Sequence, residues 1–264
     1  MGRPYKLQPE KPSQFSQKLK DKNPLEKVKA LESLISVEQP NAFQEMVNAL
    51  SDRNPIVRVT AAEGLGVLKN REGIDPLIDR LLDRNYEVRM RASESLGILL
   101  VGSKSPPALI KRLEDIDELV RIAAAESLGL IGDRRALPAL WRAVHDRSPL
   151  VRSYIAEAIG KLGSKKEAAR LEKEIEGETS EIAQVGFCEA IYLLGQRKIL
   201  EKLLSLLQRP DYKVRCAAAN ALCEIDANET DKVIILRSLR KAFRKEPTPA
   251  ARSSMRSSLR CIGG

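Results

Sequence analysis

Asp52 to Gly66 reads DRNPIVRVTAAEGLG, and close copies follow as DRNYEVRMRASESLG (Asp83 to Gly97), DIDELVRIAAAESLG (Asp115 to Gly129) and DRSPLVRSYIAEAIG (Asp146 to Gly160). The Val-Arg step of each copy places Arg58, Arg89, Arg121 and Arg152 at spacings of 31, 32 and 31, and Arg215 follows after 63, two periods on. The absent member falls at Gln184, in a worn copy from Glu178 to Gly195. A fixed period of this length marks a chain that grows by stacking one supersecondary unit rather than by enlarging one core.

Each unit reads as two helices. In GIDPLIDRLLD, residues Leu77, Ile78, Leu81 and Leu82 recur at helical spacing, and Pro76 suits a first turn. The turn DRN follows, then a second helix from about Tyr86 to Leu100 with Val88, Ala92, Leu96 and Leu99 as its apolar stripe. SPPALIKRLED and ALPALWRAVHD are the equivalent first helices of the next units. Gly66, Gly97, Gly129 and Gly160 recur in register. A helical glycine costs about 1 kcal/mol against alanine, so the recurrence predicts close backbone approach.

The expected organisation is a flexible basic arm over 1–20 and a solenoid over 21–262. Within the solenoid we expect a degenerate cap (21–40), clean repeats (41–163), divergent repeats (164–228) and a basic C-terminal cap (229–262). In the degenerate cap Lys27 holds the arginine place; in the divergent part Arg209 stands where the others have Asp. The fold class is all-α, a right-handed α-solenoid of about seven helix pairs.

Apolar residues make up 43% of the chain and aromatics only 4%, which suits small, regular helix–helix contacts. No run reaches the roughly 18 apolar residues of a membrane span. The start, MGRPYKLQPEKPSQF, has no apolar signal core, and Lys6 stands where a myristoylation motif wants Ser or Thr. Cys188, Cys216, Cys223 and Cys261 show no CxxC spacing and read as small thiols, the first three buried, which points to a reducing, cytoplasmic setting. The net charge of +9 is uneven. Residues 1–29 carry eight Lys/Arg against three Asp/Glu, or +5; residues 232–264 carry nine against one, or +8; the remainder is therefore −4. A groove that grips nucleic acid would have a basic middle, and this one is mildly acidic.

Helix pairs of this length, with Asp, Val-Arg six residues on, and then A-A-E-x-L-G, resemble HEAT repeats. They are most similar to the short HEAT-like subclass named after the phycobilisome lyases, over about residues 21–262. The resemblance implies an ARM/HEAT superhelix whose second helices line a concave surface, and repeat-shared residues that staple one unit to the next. For function it implies a protein-binding scaffold. A more specific relative would be a phycobiliprotein chromophore lyase subunit, or a phycobilisome assembly or degradation factor.

The ladder Asp52, Asp83, Asp115, Asp146 with Arg58, Arg89, Arg121, Arg152 and Arg215 recurs at every clean unit, so we assign it to structure. The acid is expected to cap the following helix, and the arginine to reach a neighbouring carboxylate or carbonyl. A second row, Glu63, Glu94, Glu126, Glu157 and Glu189, lies five residues after the arginine place. It suits a basic protein partner and opposes DNA in the same groove, where phosphates would face carboxylates. Two residues after the arginine place, Arg91 and Tyr154 are large side chains at otherwise small positions, and both types are favoured at interface hot spots. Trp141 aligns with core positions, and the lone His145 aligns with surface ones. One histidine builds no zinc or iron site, and the paired His-Glu motifs of HEAT-repeat hydroxylases are absent. Near the C-terminus, Lys232, Arg237, Arg240, Lys241, Arg244, Lys245, Arg252, Arg256 and Arg260 accompany Val233, Ile234, Leu236, Leu239 and Phe243 in an amphipathic pattern. Such a helix suits an acidic protein, RNA or anionic lipid. No Walker loop, GxGxxG, GxSxG or HExxH occurs. The reading is therefore a non-catalytic scaffold with no cofactor and another protein as partner. Nucleic acid at the basic cap is the weaker alternative.

Overall fold

In the clean repeats each second helix opens where a turn acid and a cap residue follow in sequence, and each first helix is a short segment before that turn. The computed structural model describes residues 17–36 and 39–263. The expected arm lies outside the described residues as far as position 16. All regular structure among the described residues is helical. After α1 (Pro24–Ser36) come seven pairs. These are α2 (Ala42–Ala49) with α3 (Pro55–Leu68), α4 (Ile74–Arg80) with α5 (Tyr86–Leu99), and α6 (Pro107–Lys111) with α7 (Glu118–Ile131). Then α8 (Leu137–Ala143) pairs with α9 (Pro149–Leu162), and α10 (Lys165–Gly177) with α11 (Glu181–Leu193). Last are α12 (Leu200–Leu206) with α13 (Tyr212–Glu224), and α14 (Glu229–Lys245) with α15 (Pro249–Gly263).

The chain packs as two compact units, one ending at Ser127 and one beginning at Leu128. In the first, second helices lie side by side, α3 between α1 and α5, with α2 and α4 packed behind them. In the second, α9, α11, α13 and α15 form the equivalent row, backed by α8, α10, α12 and α14. This is an α-solenoid, as the repeat predicts. The expected stripe of Val88, Ala92, Leu96 and Leu99 is buried, as are Leu77 and Leu81. Leu82 is not: it lies just past the end of α4 and is 74% exposed.

The in-register glycines sit where helices touch. A Cβ on Gly66 would lie 2.6 Å from Ser95 Oγ, and one on Gly97 2.8 Å from Ser127 Cβ. Those serines donate on to the preceding second helix, Ser95 Oγ to Ala62 O at 2.8 Å and Ser127 Oγ to Ser93 O at 2.8 Å. At Gly160 the obstacle is backbone, with Ala190 Cα 2.7 Å away. Gly160→Ala is therefore expected to destabilise by about 1–3 kcal/mol in urea unfolding, although alanine is the better helix former. Gly177→Ala, where an added Cβ meets nothing, should be neutral or stabilising by up to about 1 kcal/mol.

The cysteine reading needs correction. Cys223 on α13 and Cys261 on α15 form a disulfide, while Cys188 and Cys216 are free. Of the residues expected to be buried thiols, Cys188 is buried, and burial pushes its thiol up to about 12. The cysteine argument for a reducing compartment falls with the pair.

Candidate functional site

The arginine ladder works in both directions from each turn. Arg58 donates back to Asp52 O at 2.9 Å and forward to Asp83 through Nε and Nη2 at 2.8 and 2.7 Å. Arg89 repeats this with Asp83 O and Asp115, and Arg152 with Asp146 O and Glu178. Arg215 does the same with Arg209 O and Glu246. Arg121 donates to Asp115 O and Ile116 O. At the start of the ladder Lys27 Nζ reaches Asp52 at 2.6 Å.

The acids are not the helix caps. Asp52 Oδ1 accepts from Asn54 N, Asp83 Oδ1 from Asn85 N, Asp115 Oδ1 from Asp117 N and Asp146 Oδ1 from Ser148 N. Asn54, Asn85, Asp117 and Ser148 then cap their helices by accepting from Ile56 N, Val88 N, Leu119 N and Val151 N. At Asp83 and Asp115 the same Oδ1 that takes this N–H also accepts from the arginine Nη2, while Oδ2 accepts from Nε. Burial works against the charged form of Asp115, but Arg89, the Asp117 N–H and Arg112 outweigh it and hold the carboxyl below its ordinary value.

Glu178, at the head of the worn copy, and Glu246, which the sequence reading did not name, stand in the Asp place of the divergent repeats. Each accepts the N–H two residues on, at Ser180 and Thr248. Gln184 keeps half of the lost arginine's role by donating to Glu178 O at 2.6 Å. It has no forward fork, and the next turn shows the matching change: Arg209 replaces the acid and pairs with Glu181 at 3.0 Å. The signal in sequence was the six-residue interval, since 178 to 184 and 246 to 252 both keep it. Arg252 accordingly donates to Glu246 O at 3.1 Å and stacks on Phe243 at 4.5 Å.

The glutamate row divides. Glu63 and Glu126 are exposed, and Glu94 and Glu157 are half-buried. Glu189 is buried at 5% exposure. Burial first, and then the charges of Glu157 and Glu224, push its carboxyl up to about 8. Unfolded, it titrates at its ordinary 4.5, so folding increasingly opposes ionisation as pH rises through the interval up to about 8. Stability present below the lower value should be lost across that window. Glu189→Gln should flatten the decline in urea midpoint between those two pH values, and an unchanged slope would contradict the assignment.

Arg91 is not a bare side chain. Its Nη1 lies 2.8 Å from Glu94 Oε2 and its Nε 3.8 Å from Glu63 Oε2, so the row neutralises it. Tyr154 is half-buried on α9. Trp141 is buried beneath Arg170, whose guanidinium stacks 3.9 Å from the ring, and His145 is exposed near Glu174. The predicted stripe on α14 is rotated: Ile235 and Leu239 are buried, Leu236 and Phe243 half-buried, and Val233 and Ile234 exposed. Arg237, Arg240, Lys241 and Arg244 are brought together on its outer face, lining a shallow depression with Val233, Leu236 and Lys245. Among the described residues no cluster of His, Cys, Asp and Glu could hold a metal, and no helix is long and apolar enough to cross a membrane.

Stacked helix pairs joined by an arginine–acid ladder define a helical-repeat protein of the solenoid class. A model of HEAT repeats matches residues 12–97 and 106–184, and the chain belongs to the HEAT-repeat family. Among solved structures it is similar to the complex of CpcE and CpcF of phycocyanin lyase from Nostoc sp. PCC7120, at 23% identity over 83% of this chain and 94% of that one, TM-score 0.59. It is similar too to the Escherichia coli protein YIBA, at 20% identity over 95% and 93%, TM-score 0.55. Kap95p bound to RanGDP aligns at 12% identity over 94% of this chain and 41% of that one, TM-score 0.57. No curated protein matches by sequence. At these identities the structural likenesses show the fold.

Proposed function

We propose that this chain is a non-catalytic scaffold that binds a partner protein on the face of its second helices. The observation that carries the reading is a division of labour. Residues shared between repeats, namely the ladder and the in-register glycines, are spent on neighbouring units. The exposed side of the second helices keeps carboxylates (Glu63, Glu94, Glu126) around a residue unique to its repeat, Arg91. A surface of this charge suits a basic partner segment and opposes polyanions. Of the similar structures, one is a complex of CpcE and CpcF, and another has Kap95p bound to RanGDP. A role beside a chromophore lyase is the more specific form of the same reading, and transfer of bilin in the presence of this chain would support it.

The test is in-situ crosslinking from the native host with wild type and with a variant carrying E63K, E94K and E126K. A partner crosslinked to α3, α5 or α7 in the wild type should fall about tenfold or more in the variant. Equal recovery from both, or polynucleotide copurifying in place of protein, would overturn the reading.

A further inference from the structure

We propose that the outer face of α14 is a docking groove for an acidic helical segment of a partner protein. Arg237, Arg240, Lys241, Arg244 and Lys245 are all exposed, and among the described residues none is engaged in an ion pair. The ladder cations differ: Arg58, Arg89, Arg152 and Arg215 each hold a carboxylate, as does Arg209 where it replaces the turn acid. A lone solvated lysine needs no explanation, but five unpaired cations on one helix face do.

Their spacing is that of successive turns. Positions 237, 240/241 and 244/245 fall on one side of an α-helix, about 5–6 Å apart from turn to turn. An acidic helix laid alongside would present carboxylates at the same intervals, each matched to one or two cations. One turn before Arg237 the groove opens onto Val233, 58% exposed, with Ile234 beside it at 44%. These give an apolar anchor at one end of a charged track, which fixes polarity as charge alone does not. At the other end the surface continues into a second concavity where Lys241 and Lys245 meet Leu207, Pro210 and Pro247.

RNA fits less well. Sequence-tolerant binding of single strands needs aromatic faces on which bases stack. Phe243, the aromatic on α14, is half-buried and covered by the guanidinium groups of Arg252 and Arg256 at 4.5 and 5.8 Å. The groove lies on the layer of first helices, and the glutamate row on the second helices. Failure of this proposal therefore leaves the scaffold reading of that row intact.

The probe is a fluorescein-labelled helical peptide with glutamates at helical spacing on one face and two leucines at one end, titrated into the full chain by anisotropy. Binding is expected in the micromolar range. R240E/R244E should weaken it at least about tenfold, as should replacing the peptide's glutamates with glutamine. V233S should weaken it severalfold and leave its salt dependence unchanged. Circular dichroism melts establish that the variants fold. Unchanged affinity in R240E/R244E overturns the proposal. So does tighter binding of poly-U RNA, or of vesicles containing anionic lipid, with the same sensitivity to R240E/R244E.

Discussion

Asp115→Ala is expected to cost about 3–5 kcal/mol, far more than any exposed charge in the chain. The Asp115 side chain is 3% exposed and accepts from Arg89 Nε and Nη2, Arg112 Nη1 and Asp117 N. Truncation removes all four bonds and leaves the Arg89 guanidinium, itself nearly buried, with its forward donors empty. The loss falls inside the array, where each repeat is held by nearest neighbours, so it should appear as uncoupling of adjacent repeats as well as a lower midpoint. Urea unfolding followed by circular dichroism gives the magnitude, and hydrogen exchange in α5 and α7 gives the location. Lys29→Ala is the control, because its side chain is 65% exposed in its pair with Glu26, and it should leave the urea midpoint nearly unchanged. If the two substitutions cost the same, the ladder does not staple the repeats.

The same ladder sets the acid limit. The hydrogen-bonded Arg215 guanidinium draws the Glu246 carboxyl from 4.5 down to about 2. A carboxyl lowered by folding contributes stability that is present above its unfolded value and lost as pH falls toward the folded one. Asp52, Asp83, Asp115 and Glu178 are lowered in the same direction, burial opposing and the hydrogen bonds and cations prevailing. Stability should therefore rise with pH as these acids ionise, and then decline through the higher interval in which Glu189 does. A maximum between the two windows follows from opposite environments of one residue type.

The period and the helix pairs were legible because packing repeats with the sequence. Val-Arg spacing placed each ladder arginine, and in-register glycines marked close approaches at Gly66, Gly97 and Gly160, though not the one at Gly186. What the period could not carry is what differs between copies. The ladder role of Glu178, and Glu246 altogether, escaped because a longer acid replaces Asp, and an insertion shifts the place of Glu246. Ser95 and Ser127 escaped because a hydroxyl accepted by the preceding helix reads in sequence as merely a small residue. Glu189 sits in the register of an exposed row, but its burial is decided by neighbours on other helices, which no periodicity within α11 encodes. On α14 the apolar pattern was visible and its phase was not: the run VIIL offers several faces, and contact with α15 selects Ile235.

Cys223 and Cys261 escaped for a related reason, since 38 residues separate them and no spacing motif joins them. Replacing both with serine is expected to cost about 3–4 kcal/mol, from the chain entropy regained when a loop of that length is opened. The effect should be local. Among the described residues the α14–α15 pair meets another repeat on one side only, which makes local opening easier there than in the middle of the row. α15 is held to α13 by buried Ala251 and Met255, and by Ser258 Oγ donating to Ala219 O at 2.7 Å. The disulfide adds a covalent tie between α13 and α15. Without it, α15 amides should exchange faster by two orders of magnitude or more, while amides of α3 and α5 keep their protection. Reductant should produce the same change in the wild-type chain and none in the double variant, because Cys188 and Cys216 are already free. Equal exchange in α15 with and without the bond would mean that noncovalent packing alone holds the cap, and the basic groove on α14 would then stay in place whatever the oxidation state of the pair.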